Sequence, residues 1–166
     1  MRYTTIAILL LLTAASGPGH AQMPHIVGSW ELDIAASTLP RTPPQSQVRT
    51  YLPLEDGYLL GIAITVDPQG RAGFLQFAAR PDGEDYPEYN PITLAALQMT
   101  GEQTSATYGE TPIDEFTVAW VDKNDGVAYA SGTRQVSEDG SILTIEAQFQ
   151  DPDGGLASFT LVFNKL

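Results

Sequence analysis

The chain has 166 residues, a formal net charge of −12, no cysteine and two histidines. So acidic a surface repels nucleic-acid phosphates and anionic lipid headgroups, which excludes nucleic acid as a partner class. Without cysteine there is no disulfide framework and no zinc-thiolate site, so burial alone must stabilise the fold.

The first 21 residues read as a secretory signal peptide, cleaved from the mature chain. Arg2 supplies the positive end, Ile6 to Ala15 is a short apolar run, and Gly19-His20-Ala21 fits a small-x-small cleavage site. A membrane-spanning helix needs about 20 apolar residues; this run stops at Ser16-Gly17-Pro18. The expectation is a protein of the bacterial periplasm or exterior with no stable membrane insertion after cleavage. Residues 22–166 then form one domain, long enough for a hydrophobic core.

In chain order, the mature region opens with HIVGSWELD, a strand bearing Trp30. DIAASTLPRTPPQ predicts one short helical turn at Ile34 to Thr38, stopped by Pro40, Pro43 and Pro44. YLLGIAITVD alternates, with Tyr58, Leu60, Ile62, Ile64 and Val66 on the stronger apolar face. Phe74 and Phe77 fall on opposite faces of the next strand, and EDYPEYNP reads as an acidic, proline-broken connection. TGEQTSATYGETP, Thr100 to Pro112, predicts a long loop or ragged hairpin. EFTVAWVDK groups Phe116, Val118 and Trp120. In the strand after it, Ala128, Ala130, Gly132, Arg134 and Val136 share a face. ILTIEAQFQ and LASFTLVFNK close the chain, with Phe149, Phe159, Leu161 and Phe163 on apolar faces.

Between these runs stand Asp56-Gly57, Asp67-Pro68-Gln69-Gly70, Asp82-Gly83, Asn124-Asp125-Gly126, Asp139-Gly140 and Asp151-Pro152-Asp153-Gly154-Gly155. Asx-Gly pairs supply the backbone conformations of tight hairpins. The spacing leaves no room for parallel crossovers, so the pattern predicts an all-β, antiparallel up-and-down β-barrel of about 8–10 strands with at most one short helix. Closure removes the exposed edges of such a meander.

Gly28-Ser29-Trp30 resembles the Gly-x-Trp opening of the lipocalins. GSWELDIAAST, DGEDYPEYNP, SGTRQVSEDGSILTI and FTLVFNK are together similar to a group of small exported bacterial proteins with lipocalin-like, calycin-type barrels. The segment Thr100 to Pro112 is longer than that pattern needs. The resemblance implies that Trp30 plugs one end of the barrel beneath a basic side chain from late in the chain, with Arg134 and Lys165 as candidates. It implies an interior that binds a small apolar molecule, lined by Trp30, Ile62, Ile64, Trp120, Phe149 and Phe159.

Catalytic signatures are absent. His20 leaves with the leader, and His25 stands too near the new terminus to hold a general base in place. The twelfth position of a calcium loop counted from Asp122 is Thr133, and from Asp151 it is Val162; neither is the glutamate that an EF-hand requires. No metal and no cofactor is expected. Two further readings stay open. One is an interaction module with a filled barrel, which predicts an exposed apolar patch near Tyr86 to Pro91 or Thr100 to Pro112. The other is an enzyme with dispersed carboxylates, which predicts acids of raised pKa inside the barrel.

Overall fold

The computed structural model describes residues 24–39, 42–150 and 155–166. The leader and the tip of the Asp151–Gly154 turn, both read from the sequence above, lie outside the described residues. Ten strands follow one another: β1 Gly28–Thr38, β2 Ser46–Pro53, β3 Leu59–Val66, β4 Ala72–Ala79, β5 Asp85–Tyr89, β6 Ala106–Pro112, β7 Thr117–Asn124, β8 Val127–Val136, β9 Ile142–Gln150 and β10 Leu156–Lys165. Each pairs antiparallel with its chain neighbours, and β1 pairs with β10, so the sheet is a closed up-and-down barrel. That is the predicted architecture. The hairpin signals explain it: at Asp125 and Gly126, φ is 50° and 76°, so both residues take the left-handed conformation that a tight β7–β8 hairpin needs.

Up-and-down order sorts the connections by end. The start of β1, the end of β10 and the β2–β3, β4–β5, β6–β7 and β8–β9 turns gather at one pole. The β1–β2, β3–β4, β5–β6, β7–β8 and β9–β10 connections gather at the other. The helix α1, Pro91–Thr100, forms part of the β5–β6 connection and therefore stands at the second end.

Sequence signals for α1 are local. Asn90 accepts hydrogen bonds from the Ile92 and Thr93 amides at 2.9 and 3.0 Å, while Thr93 Oγ1 accepts from the Asn90 amide at 2.9 Å. Pro91 is the first helical residue, and Gly101 ends the helix at φ 73°. The segment from Thr100 to Pro112 is a short stretch of coil followed by β6, not one long loop.

Two further expectations are corrected. EDYPEYNP contains β5, a full member of the barrel. The Ile34–Thr38 stretch is strand rather than helix, but its ladder with β10 slips between Asp33 and Thr38. There Asp33 Oδ1 accepts the Ala36 amide at 3.0 Å, and Ser37 Oγ donates to the Asp33 carbonyl at 2.6 Å. The turn-forming residues that suggested a helical turn build a bulge instead.

The core runs from the first pole into the barrel. Ile26, Trp30, Tyr51, Ala79, Val118, Val136, Leu143 and Phe163 are almost completely buried there. The Trp30 indole donates to the Ile26 carbonyl at 2.8 Å, and Lys165 Nζ lies 5.1 Å from the ring centroid. His25 stacks on Phe116 at 4.5 Å. Gly132 lets β8 and β9 approach: a Cβ there would stand 1.9 Å from the Glu146 carbonyl oxygen.

Candidate functional site

Strand parity decides what the interior contains. Along β3 the inward residues are Leu59, Gly61, Ala63 and Thr65, because Ala63 pairs with Arg49 and Leu75, and Gly61 with Tyr51 and Phe77. Arg49, Leu75 and Phe77 all line an internal cavity. Ile62 and Ile64 therefore stand on the outer wall, and Ile64 is 51% exposed. Their assignment to the binding interior is corrected. The reason is volume: the Phe77 ring fills the space above Gly61, where even a Cβ would come within 2.3 Å. The smaller face of β3 had to turn inward, and the bulkier one faces out.

A second displacement occurs in β8. Its ladder with β7 slips between Asp122 and Lys123. Ala130, opposite Asp122, lines the internal cavity, whereas Ala128 pairs with Lys123 and is exposed. The residue between them, Tyr129, lines the mouth.

The open end forms a cavity of about 700 Å³ lined by Leu32, Leu39, Gln47, Arg49, Thr65, Tyr129, Phe149, Phe159 and Leu161, with Thr42, Pro44, Asp67 and Pro68 at its rim. Below it lies a smaller space of about 130 Å³, walled by Leu75, Phe77, Glu88, Tyr108, Trp120, Asp122, Ala130, Arg134 and Ile145. Arg49 and Phe159 border both. Phe149 and Phe159 pack at 5.8 Å between ring centroids.

The floor is more polar than the strand pattern suggested. Glu88 and Asp122 reach it because they pair with Phe77 and Tyr108, whose rings stack at 3.9 Å inside the barrel. Glu88 is only 4% exposed. Burial, reinforced by the charge of Asp122 and opposed by Arg49, pushes its pKa up to about 8. Burial pushes Asp122 up to about 6, again against the pull of Arg49. Tyr129 is raised by burial and then by the Asp122 and Glu88 charges.

Deeper still, Arg134 pairs with Glu110, both nearly inaccessible. Tyr108 Oη donates to Glu110 at 2.6 Å and accepts from Arg134 at 3.2 Å. The Arg134 guanidinium lies over the Tyr51 ring at 4.6 Å, with its carbon that far from the centroid. Burial, the largest single influence, works against its charge, but Glu110, Tyr108 and Tyr51 together outweigh it and raise the pKa. Arg134 is thus part of the buried wall, and Lys165 is the cation over Trp30.

The six residues proposed for the interior therefore divide. Trp120, Phe149 and Phe159 line the mouth or floor; Trp30 is buried at the pole; Ile62 and Ile64 are outside. Arg49, Glu88, Asp122, Tyr108 and Glu110 were missed. Alternation held a usable signal for Asp122, which shares parity with Phe116, Val118 and Trp120, but none for Glu88, whose stretch reads as a connection. Charged residues were assigned to solvent by default. Among the described residues no three histidine, aspartate or glutamate side chains converge as a metal would need. No helix among them is long and apolar enough to cross a membrane.

The closed ten-strand barrel, with one short α-helix among the described residues, matches a calycin-type, lipocalin-like fold. The chain is similar in structure to an asparagine-to-alanine variant of the fluorescent protein UnaG, with a TM-score of 0.54 and 10% identity over 86% of this chain and 96% of that one. Wild-type UnaG superposes with a TM-score of 0.50 and 11% identity, over 84% of this chain and 96% of that one. At such identities the likeness is one of fold. No family model matches the chain, and no curated protein matches it in sequence.

Proposed function

We propose that this protein is an exported binding barrel that takes one small, mainly apolar molecule through its open end. The reading of an exported protein rests on the leader, Arg2 followed by the apolar run to Ala15. The observation that carries the binding reading is continuity. Arg49 and Phe159 border both the wide mouth and the floor cavity, so one molecule can span the two. Leu32, Leu39, Phe149, Phe159 and Leu161 offer apolar wall, the lining that small-molecule sites favour.

The neutral dye N-phenyl-1-naphthylamine tests this. Saturable, one-to-one fluorescence enhancement is expected, weakened about tenfold or more by Phe159→Ala. A folded protein with no saturable enhancement overturns the reading.

One observation favours a second reading, acid–base chemistry at the floor. At pH 7 the Glu88 carboxyl holds its proton while most Asp122 carboxyls have lost theirs. Neighbouring carboxyls divided in this way are the pattern of an acid and a base. A turnover that falls on both sides of the interval from pH 6 to pH 8 would support it; hydrolysis unaffected by Glu88→Gln and Asp122→Asn would remove it.

A further inference from the structure

Four side chains that line the floor cavity each bury a polar atom that has no hydrogen-bond partner among the described residues. They are Glu88 Oε2, Asp122 Oδ1, Trp120 Nε1 and Arg134 Nε. Glu88 and Arg134 are more than nine-tenths buried, at 4% and 2% exposure. Buried polar atoms are ordinarily satisfied, and four exceptions around one small space call for a common cause.

Their chemistry is mixed. The indole N–H and the guanidinium Nε–H only donate, Asp122 accepts, and Glu88 accepts or, when protonated, donates. Their charges are balanced. Arg134 has Glu110 as its counterion, and Arg49 stands near Asp122. A carboxylate head placed here would face Asp122; an ammonium head would face Arg49 and Arg134. Either would bury a formal charge that no free counter-charge awaits, which is costly. The space of about 130 Å³ matches a head of a few heavy atoms, and the mouth above it takes the body.

Resting on the binding reading above, we propose that the floor recognises a neutral head group that both donates N–H and accepts at a carbonyl oxygen, a primary amide or a urea, on an apolar body held in the mouth. The head donates to Asp122 and Glu88 and accepts from Trp120 and Arg134. Selectivity arises because a head lacking one of these functions leaves a buried atom unpaired.

Calorimetric titration of the exported chain with decanamide, decanoate and decylamine at pH 7 tests the proposal, since the three share one tail. Decanamide is expected to bind about tenfold more tightly than either charged analogue. Its binding should shift the indole N–H proton resonance of Trp120. The indole of Trp30, which already donates to the Ile26 carbonyl at 2.8 Å, should stay in place as an internal reference. Asp122→Asn and Trp120→Phe should each remove most of the amide preference, read as the ratio of decanamide affinity to decanoate and decylamine affinity within each variant. Equal affinity for the three compounds, preference for a charged head, or a silent Trp120 resonance overturns the proposal. If none of the three binds while the dye still saturates, the head-group assignment fails and the binding barrel stands. If the dye fails as well, both fall.

Discussion

The plug at one end of this barrel and the floor beneath the other end are built differently. At the closed pole the Trp30 indole donates to the Ile26 carbonyl and the Lys165 ammonium covers the ring, while Tyr51 Oη and Arg80 Nε stay buried without a partner among the described residues. At the floor beneath the open end, Glu88, Asp122 and Trp120 each keep a buried polar atom without a partner among the described residues, all three around one cavity. The indole of the plug is satisfied internally and serves stability. The floor carries unmet hydrogen-bonding capacity, a cost that native interiors retain where they have a task.

The sharpest way to break the comparison is to damage the deep wall that separates the two ends. Arg134→Met leaves Glu110 buried without its counterion, and a loss of about 3–5 kcal/mol is expected in denaturant unfolding. Adding Glu110→Leu should recover much of that loss, because an apolar pair replaces the ion pair. A loss below 1 kcal/mol would mean that the pair is hydrated. Trp30→Ala empties the pole and should cost a similar ~3–5 kcal/mol, with no effect on dye affinity per folded molecule.

The floor should reveal itself by pH. The ordinary value for a glutamate is 4.5, and burial raises Glu88 to about 8. The native state therefore binds a proton that the unfolded chain has released. Glu88 contributes most below pH 4.5, and its contribution is lost as the pH climbs through 8. Asp122 adds the same sign of slope between 3.8 and about 6. Glu88→Gln should flatten the fall in stability above pH 6, removing a slope of up to ~1.4 kcal/mol per pH unit. Identical pH profiles for the two proteins would place Glu88 in solvent.

Smaller effects sharpen the assignment. Lys165→Met should cost about 0.5–1 kcal/mol, the value of an exposed cation over an indole. Ile64→Thr, on the outer wall, should change stability by less than about 0.5 kcal/mol and leave dye binding untouched. An Ile64 variant that binds more weakly would put β3 in the opposite parity.

Local chemistry made much of this legible. The Asx-Gly turns between alternating runs set the strand order, and closure followed because a single meander has edges to remove. Trp30 was legible as a plug through the resemblance of Gly28-Ser29-Trp30 to the lipocalin opening. The β5 strand was hidden by Pro87, whose ring reads as a breaker, and the capping pattern of α1 was overlooked. The side of β3 that faces inward was not legible either. Alternation states that two faces differ and leaves open which of them meets the Phe77 ring.

By itself the sequence determined the antiparallel hairpin order and the acidic charge, because these depend on neighbours in the chain or on composition. Only the tertiary structure decided that Lys165, not Arg134, covers Trp30, that Ala128 slips outside at a bulge, and that Glu88 and Asp122 stand beside Trp120 on the floor. Those outcomes rest on ladder register and on the volume left between facing side chains, quantities set jointly by residues far apart in the chain.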